Sequence, residues 1–203
     1  MAILLLILGF FWSVKKVDGY GEDDGEQLTP SAASMSSTCC TDIKYKAEKC
    51  INGKDGEKQL KKAEFCSTQD NSQGKKGDAA PWLALDFGEE SRVSVGKVVL
   101  ANRGDCCGKR TAKVEIRLTD ELPADGASMF EAGQLLGKYE GPGKNGEKIE
   151  IESEEGWEGF VGRYLLIQMD KTDKPDSLNL AEVTAFGKMF VEKSQCSQEE
   201  EEE

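Results

Sequence analysis

A series of short stretches in which apolar and polar side chains alternate constrains the fold more than any other feature of the sequence. A period of two places successive side chains on opposite faces of a strand and is typical of half-buried β-structure. Gly, Pro, Asn and Asp separate the stretches, as in residues 123–126 and 141–146, and these residues favour turns. The predicted strands are Trp82–Phe87, Val93–Ala101, Ala112–Thr119, Gln134–Tyr139, Lys148–Glu152, Arg163–Met169 and Leu178–Phe186.

Many short strands at regular spacing predict an all-β fold, an antiparallel β-sandwich of the jelly-roll type. No long amphipathic helix pattern competes with the strands, and no internal repeat is visible. A length of 203 residues leaves room for one domain of ordinary size with extensions. We expect the sandwich to occupy residues 32–190.

The two ends of the chain have compositions of their own. Residues 1–19 begin with the apolar run Ala2–Trp12, which is shorter than the about 20 residues that span a bilayer. We interpret residues 1–19 as a secretory signal peptide, with an uncleaved signal anchor as the alternative. Residues 20–31 are predicted to be an acidic flexible leader, and residues 191–203 an acidic disordered tail. The chain is therefore expected to be secreted and extracellular, without membrane insertion.

Charge and composition exclude several function classes. The 38 acidic and 26 basic residues give a net charge of -12, which argues against nucleic acid as a partner. The absence of histidine excludes a His-based catalytic triad and zinc sites of the His-containing types. No nucleophile–base set and no paired carboxylates stand out in the sequence. We therefore expect the protein not to be an enzyme.

The stretch 102–110 follows a predicted strand and combines two arginines, one aspartate and two adjacent cysteines. Arginine forms planar, bidentate hydrogen bonds, and Asp105 can fix one guanidinium so that its other edge points outward. Cys106 and Cys107 either bond to each other in an eight-membered ring or pair with separate partners. A rigid disulfide beside fixed donors suits a small polyhydroxylated ligand. The alternatives are a surface salt bridge beside structural cysteines and an Arg-Gly-Asp adhesion motif.

Seven cysteines are present, and because this number is odd at least one cannot pair within the chain. Behind a signal peptide most cysteines are expected to be oxidised. The spacing Cys-x-x-Cys does not occur, which argues against a zinc ribbon or a thioredoxin-like site. Two doublets stand out, Cys39-Cys40 and Cys106-Cys107.

Five segments together carry a family resemblance. They are Arg103–Arg110, Ala33–Ser37, Pro81–Gly88, Gly162–Ile167 and Leu178–Gly187. On these segments the chain resembles the F-type lectins, or fucolectins, within the discoidin (F5/8 type C-like) sandwich superfamily. The resemblance covers most of residues 33–187 and implies binding of L-fucose or a related terminal sugar. Fucosylated glycans or glycoproteins would be the partners, and homo-oligomerisation would supply multivalency.

The resemblance also implies roles for individual residues. Arg103 and Arg110 would donate to the sugar, Cys106-Cys107 would pack against its apolar edge as a disulfide, and Asp105 would orient an arginine. The family carries a histidine upstream of these residues, and either Lys76 or Thr68 stands in its place, depending on the alignment. That departure motivates the alternative function, an extracellular structural or adhesive discoidin-like domain with lost or altered sugar binding.

The resemblance departs from the family at a disulfide and implies a metal. The family cysteine that would pair with Cys66 is Ala181 here, so the resemblance implies Cys50 as the partner of Cys66. One of Cys39 and Cys40 would then bond Cys196. The family's structural calcium implies Asn52, Asp55 and Glu182 as ligands, in one of two registers of the loop. A polar turn without an ion is the alternative, because lysines crowd this loop.

Overall fold

The computed structural model describes residues 25–41, 43–54, 64–70, 77–123, 131–153, 159–170 and 176–191. These residues form β-strands and short 3-10 helices, and no α-helix occurs among them. The strands are β1 (Glu26–Leu28), β2 (Ala32–Met35), β3 (Cys66–Ser67), β4 (Trp82–Asp86), β5 (Ser91–Asn102), β6 (Val114–Thr119), β7 (Gln134–Tyr139), β8 (Lys148–Glu152), β9 (Val161–Gly162), β10 (Tyr164–Met169) and β11 (Asn179–Val191). The 3-10 helices are Cys39–Thr41, Ile43–Tyr45, Ala47–Ile51 and Gly108–Arg110.

Two antiparallel sheets form the sandwich. The first has the strand order β1-β11-β5-β8, with β3 also paired to β11 and β9 to β5. Its centre is the long pair of β5 and β11, whose register runs from Ser91 opposite Val191 to Asn102 opposite Leu180. The second sheet has the order β2-β4-β10-β6-β7.

The hydrophobic core lies between the sheets and draws on both of them. Leu100 and Leu180 from the first sheet and Ile116 and Ile167 from the second have no exposed surface. Burying one such side chain stabilises a fold by about 1.5–3 kcal/mol. In β8 the buried Ile149 alternates with exposed neighbours, as the period of two predicts. The core thus fixes which loops meet at each end of the sandwich.

The antiparallel β-sandwich predicted from the sequence is confirmed, and each of the seven predicted strands overlaps an observed one. One prediction is corrected: residues 20–31 are not all flexible leader, because Glu26–Leu28 pairs with β11. Leu28 is buried there, so the core reaches further towards the amino terminus than predicted. The predicted signal peptide lies outside the described residues, as does all of the predicted tail except Val191, the last residue of β11. Within the described part of the chain, no helix has the length and apolar character needed to cross a membrane.

Candidate functional site

The loop 103–110, here called the doublet loop, leaves the sandwich where β5 ends, and Asn102 fixes its base. The Asn102 side-chain amide donates to the carbonyl oxygens of Gly108 and Lys144, at 2.9 and 3.0 Å. Its oxygen accepts from the backbone N–H of Arg103 at 3.0 Å and from the Thr111 hydroxyl at 2.9 Å. Because Asn102 is only 1% exposed, these bonds form away from competing water.

The turn 141–147 supports the doublet loop from one side. Gly146 donates its N–H to the Arg103 carbonyl at 3.0 Å, and Gly108 donates to the Asn145 side chain at 2.9 Å. A Cβ at Gly108 would lie 2.5 Å from the carbonyl carbon of Lys144 and 2.6 Å from the backbone nitrogen of Asn145. Only glycine permits this approach of two backbones.

Cys106 and Cys107 are bonded to each other. Cys107 adopts the left-handed conformation, with φ 65° and ψ 11°, and the short helix Gly108–Arg110 follows it. Both cysteines are half-buried. The disulfide is therefore partly exposed, and it lies between Arg103 and Arg110 along the chain.

Asp105 holds the Arg103 guanidinium along one edge. Arg103 Nε and Nη2 donate to the two carboxylate oxygens at 2.5 and 2.8 Å. The hydrogen bonds from Arg103 keep the pKa of the Asp105 carboxyl below its ordinary value. The guanidinium also stacks on the Phe65 ring, 3.9 Å from its centroid. Arg103 is thus fixed both along one edge and on one face.

Arg110 is held by residues from two other parts of the chain. Its Nη1 donates to the Asp70 carboxylate at 3.3 Å and to the Ser177 hydroxyl at 3.0 Å. Its Nε forms an ion pair with Asp176 at 3.2 Å. Asp70 and Phe65 belong to one segment, residues 64–70, so both arginines contact the same neighbour.

A buried disulfide anchors that segment. Cys50 and Cys66 are bonded, as the family resemblance implied, and neither has exposed surface. Cys66 also pairs with Leu180 in the sheet. Phe65 is therefore held against the sandwich next to a covalent link.

Of the two residues predicted to replace the family histidine, Thr68 is among the described residues and does not line the site. Thr68 is fully buried, and its hydroxyl accepts from the Leu178 N–H at 2.9 Å. This corrects the prediction for Thr68, whose side chain is buried within segment 64–70 and does not reach the surface. Lys76 lies outside the described residues.

Sequence reasoning missed most of the groups that hold the arginines, namely Phe65, Asp70, Asp176 and Ser177. The sequence separations from Arg110 to Asp70 and Ser177 are 40 and 67 residues, so no local pattern joins them. One sequence signal could have indicated a role for Phe65, namely its place next to Cys66. For Asn102 the signal is that a polar residue ends an apolar strand.

The predicted calcium ligands Asn52 and Glu182 lie together. Glu182 accepts from the backbone N–H groups of Asn52 and Gly53 at 3.2 and 3.1 Å. The Asn52 side-chain oxygen accepts from the Lys54 N–H at 2.9 Å. Asp55 lies outside the described residues, and the described ranges hold no group of three or more His, Cys, Asp and Glu side chains placed for a metal. Both side chains thus use their oxygens to accept from backbone N–H groups of this loop, and the six to eight oxygens that calcium takes would include further ligands.

Sequence comparison finds two relatives of similar identity. The chain is 30% identical over 107 residues to the pentraxin fusion protein of Xenopus laevis, covering 52% of this chain and 22% of that protein. It is 28% identical over 107 residues to the fucolectin of Anguilla anguilla, covering 53% of this chain and 60% of that protein. The chain thus spans less than two thirds of either relative. No family model matches it.

Solved structures share the fold. A fucolectin from Morone saxatilis serum superposes with a TM-score of 0.63 at 22% identity, over 80% of this chain and 49% of the other. The lectin domain of lectinolysin, in complex with Lewis B antigen, superposes with a TM-score of 0.56 at 24% identity, over 80% of this chain and 97% of the other. The discoidin-like sandwich expected from the resemblance is confirmed.

One sequence relative is named a fucolectin, and the fold is shared with solved lectin structures. Lectins are non-enzymatic carbohydrate-binding proteins, which agrees with the expectation that this chain is not an enzyme. The motif that first suggested the family, with its bonded cysteine doublet, lies on the sandwich where β5 ends. This chain is therefore similar in sequence to a fucolectin over 107 residues and shares its β-sandwich with solved lectin structures.

Proposed function

We propose that this chain is a secreted lectin that binds L-fucose or a related terminal sugar of fucosylated glycans at the doublet loop. The observation that carries the proposal is the Arg103 guanidinium, fixed by Asp105 and Phe65 beside the Cys106–Cys107 disulfide. Sugars need fixed donors for their hydroxyls and a rigid apolar surface for their C–H groups. The name of the Anguilla anguilla relative and the Lewis B complex of the lectinolysin domain support fucose as the sugar.

Arg103 would act as a preorganised donor. Asp105 uses the Nε and Nη2 edge, so the Nη1 side is the one that a sugar hydroxyl or ring oxygen would contact. Because the guanidinium is already fixed, binding costs little side-chain entropy. A hydrogen bond that involves a charged group contributes about 1.5–3 kcal/mol.

Arg110 would act on the other side of the disulfide, together with its carboxylate partners. Asp70 and Asp176 orient the guanidinium, and the Asp176 side chain, at 40% exposure, can also accept from a hydroxyl. With Asp105, three carboxylates surround two arginines. This balance favours a neutral sugar over an anionic one, because an added negative charge would be repelled.

Binding by a single loop is expected to be weak. Each contact is modest, and association costs translational and rotational freedom. Homo-oligomerisation would raise the avidity for a glycan surface by a factor of about 10²–10⁴ without a new contact. We include a homo-oligomer in the proposal for this reason.

Calorimetry and a glycan array test the proposed sugar. Wild-type protein should bind fucosylated glycans, and Arg103→Ala and Arg110→Ala should each lose binding by tenfold or more. Arg92→Ala is the matched control, because Arg92 lies at the opposite end of β5 and pairs with Asp120. Wild-type protein that ignores every fucosylated glycan would refute the proposal.

The second candidate is an adhesive or structural domain without sugar binding. The engagement of Arg110 by Asp70 and Asp176 favours it, since these carboxylates compete with a ligand for the same donors. Cell attachment that requires Asp105 and is not inhibited by fucose would support this candidate. Attachment that free fucose abolishes would support the lectin.

Calcium is a separate part of the proposal. Glu182 and Asn52, with Asp55 in one register, would hold the ion, which would offset carboxylate charge and fix this loop. Calcium should raise the Tm of the wild-type protein relative to EDTA, and Glu182→Gln should remove the difference. An unchanged wild-type Tm would show that the hydrogen bonds from Asn52 and Gly53 to Glu182 hold the loop without an ion.

A further inference from the structure

The second cysteine doublet, Cys39-Cys40, has the backbone of the bonded one. Cys40 adopts φ 62° and ψ 11°, and Cys107 adopts φ 65° and ψ 11°. Positive φ is uncommon for residues other than glycine. Among the described residues only Cys40, Cys107 and Lys113 show it without being glycine. Two of these three positions are therefore the second cysteine of a doublet.

The two thiols of this doublet are also in contact. The structure shows Cys39 and Cys40 reduced, and their side chains hydrogen-bond to each other. Because the residues are adjacent and the backbone matches that of Cys106–Cys107, the sulfurs need little movement to bond.

The Cys39-Cys40 doublet lies next to the residues that hold Arg110 in the proposed sugar site. Cys39 hydrogen-bonds to the backbone of Asp70, whose carboxylate pairs with Arg110. Ser37, two residues before Cys39, accepts from the Gln69 N–H at 3.0 Å. The segment that carries the doublet is thus packed against the segment that orients Arg110.

We propose that Cys39 and Cys40 form a second vicinal disulfide, which stabilises the segment behind the Asp70–Arg110 pair. The backbone match with Cys106–Cys107 carries this proposal, which does not depend on the identity of the sugar. The bond would replace the pairing of one of these cysteines with Cys196.

The oxidation is a thiol–disulfide exchange with a low-molecular-weight disulfide of the glutathione class. The half-exposed Cys40 attacks the small disulfide as the thiolate, forms a mixed disulfide and releases one small thiol. The Cys39 sulfur then displaces the second small thiol from Cys40 and gives up its proton to it. Two protein thiols and one small disulfide become one protein disulfide and two small thiols. Burial raises the pKa of the Cys39 thiol to about 12, which assigns the first attack to Cys40.

Tryptic mapping tests the proposal, because lysine and arginine isolate each doublet. Residues 17–44 of the full chain, which become 20–44 once the expected signal peptide is removed, contain only Cys39 and Cys40. Residues 104–109 contain only Cys106 and Cys107, and Cys196 falls in residues 194–203. The full chain is equilibrated with oxidised glutathione, alkylated without reduction, digested and analysed by mass spectrometry. Peptide 104–109 is the internal control for complete oxidation.

The proposal expects peptide 17–44 to be unalkylated and lighter by two hydrogen atoms than its dithiol form. A Cys196→Ser variant should give the same peptide, and Cys40→Ser should leave Cys39 alkylated or mixed with glutathione. A wild-type link from peptide 17–44 to peptide 194–203 would overturn the proposal. Double alkylation of peptide 17–44, while peptide 104–109 is oxidised, would also overturn it.

Discussion

Asp105 acts on the proposed sugar site through Arg103, whose guanidinium it holds along one edge. Asp105→Asn keeps the shape of the side chain but loses the charge and one of the two acceptors. We expect this change to weaken fucose binding about tenfold, or 1.4 kcal/mol, with little change in Tm. Calorimetry of Asp105→Asn against wild type measures it. Arg117→Lys, in β6, serves as a control for a polar change outside the site. Unchanged affinity would show that Phe65 alone positions Arg103.

The lowered pKa of Asp105 gives the direction in which sugar affinity should change with pH. A carboxyl whose pKa is lower in the folded protein stabilises the folded arrangement at pH values above its ordinary pKa of 3.8. That stabilisation is lost as the pH falls through the lowered value. Sugar affinity should therefore stay constant between about pH 7 and pH 5 and fall only in more acidic solution. A titration of affinity against pH checks this. A midpoint near pH 6 would assign the dependence to another group.

Single residues also show how far sequence reasoning reaches into the site. Arg103, Asp105, Cys106, Cys107 and Arg110 lie within one short stretch, so their spacing alone suggested a site. Their partners Phe65, Asp70 and Asp176 come from other segments and have no shared spacing. Thr68 was misjudged because alignment gives its position along the chain but not its burial beneath Leu178.

At the level of elements, the doublet loop depends on its contact with the turn 141–147. Gly108→Ala would place a Cβ 2.5 Å from the Lys144 carbonyl carbon, so one backbone must move. We expect a loss of about 1–3 kcal/mol in stability and a displaced sugar site. Chemical denaturation and fucose binding measure the two effects.

Gly146→Ala in the same turn is the matched control for Gly108→Ala. Its Cβ would come no closer than 3.7 Å to Gly104, while its φ of 70° disfavours alanine. This variant should lose about 1–2 kcal/mol of stability and keep most of its sugar affinity. Equal loss of affinity in both variants would contradict a specific role for the close approach at Gly108.

The strands that sequence reasoning found and missed differ in length. β5 and β11 are long enough for alternation to show, at 12 and 13 residues. β3 and β9 have two residues each, too few for any period. β1 was hidden in an acidic segment, and only its pairing with β11 and the burial of Leu28 make it part of the sheet.

For the whole molecule, acid stability should depend on the ion pair between Asp86 of β4 and Arg163, which directly precedes β10. Arg163 donates from Nε and Nη2 to Asp86 at 2.8 and 2.9 Å, and these bonds lower the pKa of Asp86. The pair therefore stabilises the fold above the ordinary carboxyl pKa of 3.8, and its contribution is lost as the pH falls through the lowered value. Asp86→Asn should lower the Tm by a few degrees at pH 7.

The same variant should match wild type in very acidic solution, where Asp86 is protonated in both folded and unfolded protein. Thermal unfolding of both proteins from about pH 7 to pH 2 measures the convergence. Glu115→Gln, whose partners are Arg117 and Lys138, is a comparison within the same sheet. A Tm difference for Asp86→Asn that does not vary with pH would assign its effect to packing.

The register of β5 against β11 also sets which end of the sandwich carries the doublet loop relative to the two ends of the described chain. Asn102 and Leu180 lie at one end of this ladder, and Ser91 and Val191 lie at the other, roughly 36 Å away at 3.3 Å per residue. Glu26, near the start of the described chain, pairs with Gly187, closer to the Val191 end. A copy attached to a support through the residues before Glu26 or after Val191 would thus hold its doublet loop at the end of the sandwich that faces away from the support. Many copies attached in this way would present an array of outward-facing proposed sugar sites. The number of copies per unit area, rather than the affinity of one site, would then decide how well a glycan is retained.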